Sequence, residues 1–280
     1  MAHDNTNTPL HIDVDQVLRQ RLPRHYRYIP KCLVAWLKRT ICQDELNAIA
    51  AKVFPRRGVE AATMALAEMG VKINVVGADK IPSTGRFVFA SNHPLGGLDG
   101  LALISFLGQR YGGNIRFVVN DLLTALSPLE NLFLPVNKHG RQSRECAKLI
   151  EEQCAGDTQI ITFPAGLCSR MMKGGEIHDL KWNKFFVTHA AKYHRDIIPV
   201  YFEGRNSMFF YRFAKLRERL GLKFNIEMIY LPSEMIKRKN STFTIHIGKP
   251  IPWTTLSVPQ AAAEAARICN MVYAMAPHKT

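Results

Sequence analysis

Apolar residues recur along this chain in two alternating rhythms. Short continuous apolar runs, bounded by Gly, Pro, Asn or Asp, alternate with longer stretches in which apolar positions return every three to four residues. The first rhythm marks buried strands; the second marks helices that pack one face on a core. Read in this way, the chain predicts a helix over residues 57–69 ending at Gly70 and a strand over 71–76. A strand over 86–90, a glycine-rich loop, a helix over 97–107 and a strand over 115–119 follow. A short helix then leads to an apolar segment at 132–136, a helix over 142–154 and a strand over 158–163. After a long loop come a helix over 182–193, a strand over 197–202, an aromatic and basic helical stretch over 208–220, a strand over 242–247 and an Ala-rich helix over 259–273. Strands that alternate with helices predict an α/β fold, with a mixed, largely parallel central sheet covered by helices on both faces.

The beginning of the chain carries a different signal. Val14, Val17, Leu18 and Leu22 recur at helical spacing, as do Ile29, Leu33, Trp36, Leu37 and Ile41. Arg19, Arg21, Arg24, Arg27, Lys31, Lys38 and Arg39 are interleaved with them. Two readings stand side by side: a helix pair lying on an anionic membrane surface, or a helical cap packed on the core with a basic solvated face. The chain is thereby divided into an N-terminal helical extension over 1–56 and an α/β domain over 57–280.

Composition narrows the partners. At 280 residues and 47% apolar content the chain can bury one large core. Its 37 basic and 23 acidic residues give a net charge of +14, which calls for an anionic partner such as phospholipid, nucleic acid or an acidic carrier protein. No zinc-finger, ribonucleoprotein or helix-turn-helix signature is present and the basic residues are dispersed, so no nucleic-acid partner is expected. Six cysteines without a CxxC pair, after a polar start, read as reduced thiols in a cytoplasmic protein. His189 and His194 diverge on a helix, and no metal is expected. No apolar stretch approaches the length needed to cross a bilayer.

The candidate chemistry lies at residues 91–100, Ser-Asn-His-Pro-Leu-Gly-Gly-Leu-Asp-Gly. His93 falls just past the end of a buried strand, where open α/β sheets bind ligands. Read functionally, His93 is a general base whose tautomer is fixed by Asp99; read structurally, the two residues cap a turn and a helix.

Two further segments shift the weight: Gln159-Ile-Ile-Thr-Phe-Pro-Ala-Gly-Leu-Cys-Ser-Arg170 and Asp196-Ile-Ile-Pro-Val-Tyr-Phe-Glu-Gly-Arg-Asn-Ser207. In order and approximate spacing, the three blocks resemble those of the glycerolipid and lysophospholipid (PlsC-like) acyltransferases. In that family they read Asn-His with a downstream Asp, Phe-Pro-Glu-Gly with a following Ser, and a late apolar strand carrying a Pro. The resemblance spans roughly residues 70–250. It implies transfer of a fatty acyl group from an acyl carrier protein or CoA thioester to a hydroxyl or amine of a lipid acceptor, without a bound cofactor. It also implies peripheral work at the cytoplasmic face of the inner membrane, with His93 and Asp99 as the catalytic pair.

Three departures qualify the match. Five residues separate His93 from Asp99 where the family has four, and the extra residue calls for a bulged turn at Gly96 and Gly97. Ala165 stands at the family's Glu, and Leu167-Cys168 at its Thr-Arg. Those family positions help hold a glycerol phosphate, so a different acceptor is expected. Phe-Pro-Ala-Gly with Phe-Glu-Gly-Arg-Asn-Ser resembles a bacterial branch, including hemolysin-like proteins, linked to amino-acid-containing lipids.

The remaining candidates cluster around these blocks. Asn92, Gly166 and Ser169 are candidate oxyanion or acceptor contacts, Gly166 and its neighbours through backbone N–H groups. Arg170 and Lys173 are candidate anion contacts or ordinary surface charge. Lys138 and Arg141 fall where the family tends to place an acceptor-binding Arg. Glu203, Arg205 and Asn206 end a strand at the same sheet edge as His93. Two rival functions remain open: a thioesterase or hydrolase with Cys168 as nucleophile, and a non-catalytic peripheral membrane binder.

Overall fold

The computed structural model describes residues 9–119, 126–136, 141–222 and 224–277. Three short helices lead the chain: α1 (Val14–Arg21), α2 (Lys31–Thr40) and α3 (Gln43–Val53). Asp13 caps α1 by accepting the N–H groups of Asp15 and Gln16, and Asp15 in the first turn complements the helix dipole. The sequence pattern had not separated α3 from what precedes it. Its Ile49 and Val53 pack into the main core, so α3 is joined to the α/β body.

The body contains α4 (Gly58–Glu68), β1 (Lys72–Val76), β2 (Phe87–Ser91), α5 (Leu98–Arg110), β3 (Ile115–Val119), β4 (Phe133–Pro135), α6 (Arg141–Ala155) and β5 (Gln159–Thr162). The hairpin β6 (Arg170–Met171) and β7 (Ile177–His178) follows, where the sequence predicted an irregular loop. Then come α7 (Phe185–Lys192), β8 (Asp196–Phe202), α8 (Met208–Arg219), α9 (Leu231–Ile236), β9 (Thr242–Ile247) and α10 (Ala261–Ala274). Seven strands form one sheet in the order β1-β9-β8-β2-β5-β3-β4. Every pairing is parallel except β8 with β9, so the sheet is mixed and largely parallel as expected.

Strand alternation sorts the core into two layers. Phe87 and Phe89 of β2, Ile161 of β5 and Ile198 of β8 face α4 and α5, where Ala61, Leu66, Ala102 and Leu103 meet them. Val88, Ala90, Ile160 and Ile197 face α6, α7 and α10, against Ile150, Phe186, Ala190 and Ile268. Each fully buried large apolar side chain contributes about 1.5–3 kcal/mol. Beneath the second layer, the fully buried Arg195 donates to the carbonyls of Cys154 (2.7 Å), Thr158 (2.7 Å), Gln153 (3.1 Å) and Gly156, closing the C-terminus of α6. The adjacent strands β8, β2 and β5 run parallel. Their C-terminal ends therefore deliver three loops to one edge of the sheet: Glu203–Asn206, Asn92–Asp99 and Phe163–Asp179.

Candidate active site

β2 is buried along its whole length, so Asn92 and His93 leave the sheet from a rigid base. Asn92 is spent at once: its amide oxygen accepts the N–H of Phe202 (2.6 Å) and its amide nitrogen donates to the Phe202 carbonyl (3.0 Å). It welds the ends of β2 and β8 together. The expectation that Asn92 contacts substrate is corrected on that account, because both polar atoms of its side chain are bonded to backbone.

The loop from Pro94 to Leu98 absorbs its additional residue at Gly96, whose φ of +80° lies in the left-handed region. Asp99 thereby reaches His93 from the first turn of α5: its Oδ2 lies 2.9 Å from His93 Nδ1. That same oxygen accepts the N–H groups of Leu95 (2.9 Å) and Gly96 (3.3 Å), while Oδ1 accepts that of Gly100 (3.0 Å). Asp99 is fully buried. Burial pushes its carboxyl pKa upward, but the charge and hydrogen bond of His93 and the backbone donors outweigh that effect and hold it below the ordinary value of 3.8. The imidazole also lies flat on Phe163 at the end of β5, with ring centroids 3.9 Å apart. Phe163 is a site residue that the sequence reading passed over; its position directly after a buried strand was the available signal.

Behind the imidazole a second group of residues holds the His93 backbone. Ser169 N–H donates to the His93 carbonyl (2.8 Å), and Asp179 Oδ1 accepts the His93 N–H (3.3 Å). Ser169, expected near substrate, is instead almost fully buried, with its hydroxyl donating to Asp179 Oδ1 at 2.6 Å.

Arg170 requires a larger correction. It is buried, its Nη2 lies 2.9 Å from Glu227, and its Nη1 donates to the Cys168 carbonyl at 2.8 Å. Glu227, also buried, is shared with Arg217. The guanidinium is thus neutralised inside the protein and ties the β6–β7 hairpin to the segment after α8, so it is no headgroup ligand. Gly166 sits in an open turn at φ +70°, but its N–H donates to the Phe163 carbonyl (2.9 Å) and is not a free oxyanion donor.

Glu203 leans toward His246 of β9 (3.6 Å), on the side of β8 away from β2, and so is drawn away from His93. Asn206 is buried and donates to the carbonyls of Pro94 (3.2 Å) and Leu95 (3.4 Å), pinning the loop that carries His93 instead of meeting substrate. Arg205 is exposed at this edge, and Lys173 is exposed in the turn of the β6–β7 hairpin. Lys138 lies outside the described residues, as does the side chain of Arg141 at the start of α6.

Cys168 is fully buried, in contact with Arg170 Nη1 (3.0 Å), and burial pushes its thiol up to about 11. Such a thiol is a poor nucleophile, which removes the basis for a Cys-dependent hydrolase.

A buried carboxylate that orients a histidine at the C-terminal edge of a largely parallel sheet is an arrangement suited to general-base catalysis. A family model described as Acyltransferase matches residues 16–273. The chain belongs to this acyltransferase family and is an acyl-transferring enzyme. Two curated relatives are named lyso-glycine lipid O-acyltransferase. The protein from Phocaeicola vulgatus is 46% identical over 263 residues, covering 94% of each chain. That from Bacteroides thetaiotaomicron is 43% identical over 263 residues, covering 94% of this chain and 96% of its own. The crystal structure of the 1-acyl-sn-glycerophosphate acyltransferase PlsC from Thermotoga maritima aligns with a TM-score of 0.48 at 14% identity, over 95% of this chain and 99% of that one.

Proposed function

We propose that this enzyme O-acylates a lyso-amino-acid lipid of the lyso-glycine type, using an acyl carrier protein or CoA thioester as donor. The observation that carries the chemistry is the 2.9 Å contact between His93 Nδ1 and Asp99 Oδ2. With Nδ1 donating to the carboxylate, Nε2 is the nitrogen that takes a proton. The acceptor hydroxyl gives its proton to Nε2 as its oxygen attacks the thioester carbonyl carbon. The tetrahedral intermediate collapses, the C–S bond breaks, and the imidazolium returns the proton to the leaving sulfur. The thioester is already activated, so no covalent enzyme intermediate is needed.

The choice of acceptor is supported by the side chains that the described residues place where the family holds a phosphate. Ala165, Leu167 and Cys168 offer no charge, and Arg170 is committed to Glu227. Apolar side chains do not offset the desolvation of a phosphate dianion. The names and coverage of the two curated relatives favour a glycine-bearing acceptor in its place.

A peripheral station on an anionic membrane, at the cytoplasmic face, accords with the +14 charge. Among the described residues no helix is long and apolar enough to cross a membrane. Exposed apolar side chains on α8, namely Met208, Phe209 and Leu216, with Leu220 just after it, alternate with the exposed Arg212 and Arg219. Phe209 meets Tyr230 (5.0 Å), which also meets Trp36 of α2 (6.4 Å), so α8 and the basic N-terminal helices adjoin.

The test is competition between a lyso-glycine lipid and lysophosphatidic acid for one labelled acyl thioester, with free thiol measured alongside. Labelling of the glycine lipid, with thiol release that depends on acceptor, is expected. Exclusive labelling of lysophosphatidic acid overturns the acceptor assignment, and thiol release without acceptor overturns transfer.

A further inference from the structure

The carboxylate of Asp179 is 2% exposed and among the described residues its hydrogen-bond partners are all neutral: the Ser169 hydroxyl (2.6 Å) and the His93 N–H (3.3 Å) on Oδ1, and the Trp182 indole N–H (2.9 Å) on Oδ2. A carboxylate buried without a cation is costly. Here the cost falls one hydrogen bond away from the His93 backbone. Ser169 closes a ring of hydrogen bonds, because its N–H donates to the His93 carbonyl (2.8 Å) while its hydroxyl donates to Asp179. Both backbone polar groups of His93 are therefore held by one pair of residues from the loop after β5.

That pair is itself anchored. The Asp179 N–H donates to the Tyr273 hydroxyl of α10 (2.7 Å), and Trp182 is buried in the core layer shared with α7 and α10. Asp99 grips the imidazole from α5, on one side of the sheet. Asp179 grips the backbone of the same residue from the helices on the other side.

We propose that Asp179 is a positioning residue, which fixes the His93 backbone so that Nε2 is presented to the acceptor hydroxyl. The inference rests on the reading of His93 as general base. Asp179 touches no substrate and moves no proton; it sets where the base sits. Misplacement of a catalytic group by about 1 Å costs on the order of 100-fold in rate. In Asp179→Asn the side-chain amide turns an N–H toward groups that themselves donate, so the ring of bonds opens at His93 or at Trp182.

The experiment measures kcat and acceptor KM for Asp179→Asn, Ser169→Ala, His93→Ala and the double variant His93→Ala/Asp179→Asn, with circular dichroism as a check on folding. Asp179→Asn is expected to lower kcat by about 10- to 100-fold with KM changed less than about twofold. Its effect should disappear in the His93→Ala background, which a general loss of packing would not produce. Where Asp179→Asn fails to fold, Ser169→Ala serves, with a fall in kcat of a few fold at unchanged KM expected. A folded Asp179→Asn with wild-type kcat, or an equal loss with and without His93, overturns the inference, as does wild-type kcat in Ser169→Ala. Wild-type activity in His93→Ala overturns the general-base reading itself, so the two failures are distinguishable.

Discussion

The imidazole of His93 and the phenyl ring of Phe163 lie face to face, with centroids 3.9 Å apart and planes 17° from parallel. Phe163 in turn meets Phe117 edge-on at 5.1 Å, so the stack continues into the core layer that carries α5. Asp99 alone does not stop the imidazole from tilting about the Nδ1 contact; a flat ring against it does. Phe163→Leu keeps the apolar volume and loses the face. It is expected to lower kcat by roughly tenfold and to cost about 1–2 kcal/mol of stability, within the ordinary range for such a change. Steady-state kinetics and denaturant melts check both.

Gly96 is where the lengthened loop is made possible. A Cβ there, at φ +80°, would lie 2.8 Å from Leu231 Cδ1 of α9. Gly96→Ala is therefore expected to lose about 1–3 kcal/mol of stability through backbone strain and to separate His93 from Asp99, with a severe loss of activity. A crystal structure of the variant that retained the 2.9 Å contact would contradict this.

Much of this was legible in the sequence. The strands at residues 115–119 and 242–247 were read with the bounds that the structure shows, because in both the side chains alternate between the core and the other face and turn residues flank the run. The His93–Asp99 pairing was legible too, as a motif in which five residues separate the two. Asp179 was not, because it meets His93 from 86 residues away and nothing local encodes that contact. Arg170 was misplaced for the same reason: its partner Glu227 is 57 residues downstream, and a lone Arg in a polar loop resembles surface charge or a ligand equally well. The β6–β7 hairpin has two residues per strand, too few to carry a period.

The Asp99 carboxyl sets a pH dependence whose sign is fixed. Its pKa is depressed in the folded protein, so its bonds add stability above the unfolded value near 3.8, and that contribution is lost as the pH falls through the lower folded value. The difference in Tm between wild type and Asp99→Asn should narrow as the pH falls from about 5 to about 3. Thermal melts across that range decide it; a constant difference would mean that the Asp99 charge adds nothing to stability.

Membrane association is expected to draw on both basic segments. Charge reversal at Arg24, Arg27 and Lys31, or at Arg212 and Arg219, should weaken cosedimentation with phosphatidylglycerol vesicles by about fivefold per well-placed charge, more at low salt. Transfer to a soluble short-chain acceptor should be unaffected. Binding unchanged by both sets would move the docking surface elsewhere.

The central claim is that His93, oriented by Asp99, takes the acceptor's proton. Purified wild-type enzyme and His93→Ala are given one labelled acyl-carrier-protein thioester and a lyso-glycine lipid, and initial rates of labelled product are compared at matched folding. A loss of at least about 100-fold is predicted, the usual scale for removing a general base. Transfer by a folded His93→Ala at near the wild-type rate would contradict it.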